Sequence, residues 1–415
     1  MINNVETKTS VAIVGAGPYG LSIAAHLRAR GVAYRIFGSP MEMWREHCPR
    51  GMFLKSDAFA ADLYDPKRQF TLKGFCAQHN LPYHDTQIPV AVETFVDYGV
   101  AFQKALVPDL TERMVRRVSA VREGYRLEIE GGELVTARAV VIATGVSHCS
   151  VIPEELQGLP PERCTHSSMH PDLKEFDGRR VLVVGGGASA TDIAAILNTL
   201  DTPVEILARK PIEFHTKSEP KRRTLWERIT KPNFGLGANF RTSMYVAFPN
   251  LFHLLPQRLR LRITRRHLPP AAGYFVRHHV VGKVPMHVGY SIRQARVTEQ
   301  GIQVQCADAQ GHTLELEADH IIAATGYRPS VDRLTLLDET LRAAIQREEG
   351  APRLSRHFES SVPGLYFVGL PSANSFGPVM RFVRGSEWTA GHLARRLARA
   401  YPGERARAAV ASAAT

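Results

Sequence analysis

Acidic residues are missing from one long stretch of this 415-residue chain. Between Arg228 and Thr298 there is no aspartate or glutamate, while twelve lysines and arginines fall there and account for the whole formal net charge of +12. Cysteine is scarce as well: Cys48, Cys76, Cys149, Cys164 and Cys306 are odd in number and never closely paired. That spacing excludes a CxxC or CxxxxC redox dithiol and offers no zinc or iron–sulfur pattern. No apolar run reaches the roughly 18 residues that a membrane-crossing helix needs, and no secretory leader precedes the first strand, so a cytoplasmic protein is expected. No serine, histidine and aspartate set stands out for hydrolysis. With 44% hydrophobic and 22% charged residues, the composition is that of a globular chain long enough for two domains.

Glycine marks two places in the same way. VAIVGAGPYG carries Gly15, Gly17, Pro18, Tyr19 and Gly20, and VLVVGGGASA carries Gly185, Gly187, Ala188, Ser189 and Ala190. Each turn follows an apolar run, Val11 to Val14 and Val181 to Val184, of the kind that forms buried parallel strands. A first glycine permits the tight turn, a second lets backbone approach a pyrophosphate, and a small sixth residue lets the next helix lie close. Helix amides then face the phosphate charge. Helices are expected from Leu21 to Leu27 and from Ala188 to Leu197, and second strands around Ile36 and from Val204 to Leu207. Two such turns predict two bound dinucleotides.

The second strands end differently. In an NAD site a carboxylate would stand near the end of the strand to hold the ribose hydroxyls. Here Glu205 comes too early and the strand runs into Arg209 and Lys210, which suit a 2′-phosphate and hence NADPH. In the first copy Ser39 ends the strand without a carboxylate, and Glu42 is the available substitute. Two further strands end in Thr-Gly: AVVIATG at Thr144 and Gly145, and HIIAATGYRP at Thr325, Gly326 and Tyr327. Alternating stretches before them, YRLEIE and LELEA, predict small antiparallel strands.

Together these motifs resemble the class B flavoprotein monooxygenases, which include the flavin-containing monooxygenases, the Baeyer–Villiger enzymes and the ornithine or lysine N-hydroxylases. The resemblance runs from about Val11 to Leu397. It implies an α/β fold with two Rossmann-like dinucleotide-binding domains, each with a small antiparallel meander. An FAD domain of residues 1–155 and 327–400 would be interrupted by an NADPH domain of 156–326, followed by a flexible tail at 401–415. The marker FxGxxxH is represented by PPERCTH, with Pro160 for the aromatic residue, Glu162 for the glycine and His166 at its end. By resemblance His166 and Lys55 are the catalytic candidates. Trp44, Lys55 and Ser56 would lie near the flavin ring, Lys55 as a cation at its N1–O2 edge. The C-terminal GLYFVGLPSANSFGPVMRFVRG supplies Gly369 and Gly377, with a helix expected to start near Gly377 and to aim its amides at the flavin.

A member of this group reduces FAD with NADPH and oxygenates a small molecule with molecular oxygen through a flavin C4a-(hydro)peroxide. N-hydroxylation of an amine or amino-acid-derived intermediate is the reading preferred here. Baeyer–Villiger or sulfur oxygenation, a flavoprotein reductase or oxidase, and a regulatory protein without turnover remain open. His47, His84 and His170 could orient substrate or NADP⁺, and His278 with His279 could bind an anion. The acid-free stretch, a substrate-side insertion at 228–298, mixes leucines and phenylalanines with arginines around Arg260. It fits three roles: peripheral contact with an anionic membrane, attraction of an anionic substrate or acidic carrier protein, or a solvated helix with arginine stems over apolar surface. Nucleic acid is not expected.

Overall fold

The computed structural model of the chain describes residues 6–86, 88–215, 247–266 and 271–402. The tail beyond residue 402 and parts of the basic stretch, 228–246 and 267–270, lie outside the described residues.

The first glycine-rich turn joins β1, Thr7–Val14, to helix α1, Pro18–Ala29, and β2, Tyr34–Phe37, returns beside β1 in parallel. Three further helices follow: α2, Glu42–Glu46; α3, Leu72–Gln78; and α4, Val92–Leu106. The expected antiparallel strands are β3, Val115–Val121, β4, Gly124–Ile129, and the start of β5, Leu134–Ile142. In β4 only the alternate residues Tyr125, Leu127 and Ile129 are buried, as a sheet with one wet face requires. β5 pairs with β4 through its first half and with the distant strand Leu365–Phe367 through Val140 to Ile142, while β1 flanks it in parallel. Neighbours on both edges and layers on both faces explain why its end is wholly apolar.

The second sheet repeats the plan within the chain. It takes β6, Cys164–His166; β7, Val181–Val184; β8, Val204–Ala208; β9, Met286–Val288; and β13, His320–Ala323, all parallel in the order β6-β13-β7-β8-β9. Helix α5, Ala188–Thr199, packs with Val181 and Val183 on one face. On the other face Leu182 and Val184 meet a separate meander of β10, Ser291–Thr298, β11, Gly301–Ala307, and β12, Thr313–Ala318.

Two expectations change. The long C-terminal helix spans Gly385–Ala400 rather than starting near Gly377. Pro378 disfavours helical backbone at Gly377 and ends the single turn Ala373–Phe376 there, and a short 3-10 turn, Pro378–Arg381, starts at the proline ahead of the long helix. The helix around Arg260, Gln257–Arg266, is present, but Arg260 is buried and paired with Glu348, while Arg265 pairs with Glu349. Part of the basic charge is therefore neutralised internally.

Buried imidazoles set the acid limit of the fold. His320 Nδ1 donates to the Glu162 carbonyl, so its Nε2 accepts from the Thr165 hydroxyl at 2.7 Å. The Thr165 oxygen in turn lies 2.5 Å from His170 Nε2, and His170 Nδ1 faces Glu175. Burial, with His170 nearby, pushes His320 down to about 4, and burial beside Arg30 does the same for His26. Because both folded values lie below the unfolded one, their contribution is complete above about pH 6.5 and is lost as pH falls toward 4. Thermal unfolding scans should show Tm dropping by several degrees across that window, and His320→Gln should flatten the drop. An unchanged slope in the variant would show that His320 does not carry it.

Candidate functional site

Both glycine turns obey one steric rule. Gly15 has φ of 112°, and a Cβ there would come within 2.4 Å of the Ala143 carbonyl oxygen. Gly185 has φ of 145°, and its Cβ would come within 2.3 Å of the Ala324 oxygen. Ala143 and Ala324 are the residues just before the two Thr-Gly ends. Each first glycine is thus dictated by the strand that crosses beside it as well as by its turn. Gly20 meets a second limit, since a Cβ there would sit 1.9 Å from the Gly15 oxygen.

Gly17 is different: nothing lies within 4 Å of where its Cβ would be. It is also the N-cap of α1, and neither it nor Gly187, the N-cap of α5, has a side chain bonded to the first amides. Two helix starts without side-chain caps, the first beside open backbone at Gly17, fit the pyrophosphate of a dinucleotide. Met41 donates its amide to the Ala16 oxygen at 3.1 Å, which draws α2 and Glu42 to the first turn. Ser39 is half-buried beside it, and Trp44 turns inward, its ring edge-on to Phe95 at 4.9 Å. Tyr19 also turns inward: its hydroxyl donates to the Met380 and Phe382 carbonyls and its ring lies against Gly369. The first fingerprint is thereby fastened to the C-terminal segment. Gly377 lies against the ring of Phe252, behind that segment.

At the second turn Glu205 is bonded to His287 at 2.6 Å, and Arg209 and Lys210 stand exposed at the end of β8. The Lys210 carbonyl lies close to Gly186 of the turn, so these two cations border the place where a dinucleotide would lie.

Lys55 joins the two halves. Its ammonium donates to Asp192 Oδ2 on α5 and to the Phe53 carbonyl, and it stands 5.2 Å from the centre of the Phe275 ring. Asp192 is 2% exposed and its Oδ1 has no partner among the described residues. Burial pushes its carboxyl up, while Lys55 pulls it back. Sequence reasoning missed Asp192, although an aspartate one turn into the apolar helix ASATDIAAILNT was the available signal. Ser56 follows Lys55 in the same half-buried loop.

His166 occupies a structural post. Its Nε2 donates to the Gly326 carbonyl at 3.2 Å, its Nδ1 accepts from the Ser168 amide, and its ring meets Tyr327 edge-on. With both nitrogens engaged, and burial lowering its pKa, it holds the second Thr-Gly turn as a neutral group. The Thr325 hydroxyl anchors the same turn by donating to the Val151 carbonyl. Beside them a cavity of about 370 Å³ is lined by Met43, Glu46, His47, Ser147, Ser168 and Tyr327, among others. His47 lines it, its Nδ1 2.8 Å from the Ser168 carbonyl, and the Glu42 carboxylate 3.9 Å from its Nε2 raises its pKa. Thr144 and Gly145 border a smaller hollow beside Pro329 and Pro371. His84 is away from this set, hydrogen-bonded within its own turn to the Thr86 amide.

The last flavin-like segment is gripped from behind by the basic insertion. Arg260 donates to the Asn374 carbonyl, Thr264 to the Ala373 carbonyl, and the His253 ring stacks on Phe376 at 5.1 Å. His278 and His279 lie away from this contact, against each other in a short helix on the α5 side.

Comparison with known proteins agrees with this geometry. A family model described as pyridine nucleotide-disulphide oxidoreductase matches residues 12–231. Indole-3-pyruvate monooxygenase YUCCA1 of rice is 26% identical over 346 residues, 77% of each chain. A ferredoxin–NADP reductase of Thermus thermophilus is 31% identical over 211 residues, 49% of this chain and 54% of that one. Among solved structures, ornithine hydroxylase from Pseudomonas aeruginosa matches with a TM-score of 0.73 at 17% identity, covering 95% of this chain and 99% of that one. FAD and NADPH are the dinucleotides that this fold and its relatives point to. All five cysteines are free and buried, so the disulphide half of the family description has no redox pair here. The two dinucleotide turns, their matching Thr-Gly crossings and the family match place the chain in the pyridine nucleotide-disulphide oxidoreductase family, as an oxidoreductase with the two-domain flavoprotein fold.

Proposed function

We propose that this protein is an FAD- and NADPH-dependent monooxygenase that hydroxylates the nitrogen of an amine or amino-acid-derived intermediate. The observation that carries the reading is the Lys55–Asp192 pair, half-buried at Lys55 and buried at Asp192. It ties the loop beyond the first dinucleotide turn to the helix that opens at the second, so both cofactor sites meet at one seam. With no cysteine pair to receive electrons, this reading takes dioxygen as the acceptor in place of an internal dithiol. FAD, when bound and reduced by NADPH, would activate dioxygen so that one oxygen atom passes to the substrate and the other leaves as water.

The protein's own part is placement and charge. In this reading the free amides at Gly17 and Gly187 hold the two pyrophosphates, and Arg209 with Lys210 holds the 2′-phosphate. Asp192 Oδ1 waits for a donor such as the nicotinamide carboxamide, while Oδ2 holds Lys55 in place. The ornithine hydroxylase likeness supports nitrogen as the oxidised atom. A second reading, oxygenation of a 2-oxo acid, is supported by the name of the rice relative. Internal pairing of Arg260 and Arg265 weakens the case for an acidic carrier, leaving a small-molecule substrate.

Purified protein should be yellow and should bleach under NADPH without air. NADPH consumption should then be coupled to hydroxylamine formation with an amine substrate. Stoichiometric hydrogen peroxide with every amine and 2-oxo acid tried would replace this reading with an oxidase. Asp192→Asn should slow flavin reduction by NADPH about tenfold, the effect of one lost charge-assisted hydrogen bond, and leave reduction by dithionite unchanged. Arg209→Ala should lower the preference for NADPH over NADH by roughly tenfold or more, and an unchanged preference would remove the 2′-phosphate assignment. Gly17→Ala should fold with near-native Tm but lose FAD on dilution. Gly15→Ala should lose stability, by about 1–3 kcal/mol or more, because strain and the Ala143 carbonyl both oppose it.

A further inference from the structure

The surface behind the C-terminal flavin-like segment carries an apolar tip fringed with cations. Of the large hydrophobic residues exposed among the described residues, four fall within twelve positions: Phe248, Leu251, Leu254 and Leu259, with Leu254 at 77% exposure. Single exposed leucines are ordinary, but this density forms a patch. Phe248, Leu251 and Leu254 recur every three residues at and along the helix Pro249–Leu254, so they share one side. The opposite side is committed: Phe252 is buried against Gly377, and His253 stacks on Phe376.

The following helix, Gln257–Arg266, has the same division. Its inner face, Arg260, Ile263 and Thr264, is buried. Arg258, Arg262 and Arg266 are exposed, have no ion-pair partner among the described residues, and repeat every four residues, about 6 Å apart along the axis. No acidic residue lies between Ala247 and Arg266 to compete for them. The arginine stems do not cover the leucines, because Leu254 and Leu259 stay open to solvent. A solvated-helix account leaves those leucines unexplained, and an anion magnet alone leaves them equally so.

We propose that this tip docks on an anionic lipid surface. Phe248, Leu251 and Leu254 would enter the boundary between headgroups and acyl chains, with Arg258, Arg262 and Arg266 lying on the lipid phosphates. A water-filled partner site would need only the cations and an apolar protein groove only the leucines; the interface of an anionic bilayer takes both together. The inference rests on the surface itself and is independent of which substrate is oxygenated.

Flotation of the flavin-loaded full chain with vesicles of phosphatidylcholine alone and with phosphatidylglycerol added tests it. Binding is expected only to the anionic vesicles, weakening as salt rises. Leu251→Glu with Leu254→Glu should cut the bound fraction at least fivefold, and Arg258→Glu with Arg262→Glu should do the same. Lys73→Glu with Arg122→Glu, an equal charge change elsewhere, should retain binding. As a check that does not rely on loss, the fluorescence of Leu254→Trp should be quenched by brominated acyl chains. Absence of binding to anionic vesicles at low salt, equal loss in the Lys73/Arg122 control, or an unquenched Trp would each overturn the proposal. So would binding to an acidic polypeptide in place of vesicles.

Discussion

Both glycine-turn units are built on the contact between the first glycine of each fingerprint and the carbonyl of the alanine that precedes a Thr-Gly strand end. At Gly15 and Gly185 no side-chain carbon can fit, and the backbone angle also favours glycine. The contact links segments that are far apart in sequence, Gly15 to Ala143 and Gly185 to Ala324, and it does so twice in the same form. Once those crossings are made, the turn, the helix start and the Thr-Gly end must lie at one edge of each sheet. Free helix amides then collect there, which is the physical basis of both dinucleotide sites.

Those two edges are joined by buried polar contacts. Lys55 reaches from the flavin-side loop to Asp192, and His166 braces the second Thr-Gly turn. Burying such groups is costly unless they are paired, so the pairs also specify how the halves meet. Asp192 Oδ1 has no partner among the described residues, and an open acceptor at this seam fits a ligand that completes it. Lys55 therefore stands at the seam between the two glycine-turn units.

The basic insertion shows how net charge misleads. As a number, +12 suggests a diffuse attraction for anions. In the fold, Arg260 and Arg265 are held by Glu348 and Glu349, acids that lie far away in the chain, while Arg258, Arg262 and Arg266 stand exposed near exposed leucines. Internal clamping and an outward surface are two roles of one segment.

Local pattern determined much of this protein. Strands β1, β7 and β8, the helices after both turns, the antiparallel meanders and the two unequal strand ends follow from glycine spacing, apolar runs and alternation, because those effects act over a few residues. The same local reasoning misplaced the long helix near Gly377, where only a short 3-10 turn, Pro378–Arg381, begins and the long helix starts at Gly385. It could not see that His166 spends one ring nitrogen on the Gly326 carbonyl and the other on Ser168, that Lys55 meets Asp192, or that Arg260 is buried. Those facts join residues 88 to 160 positions apart, and only the tertiary fold decides which distant charges share a low-dielectric interior and which stay in water.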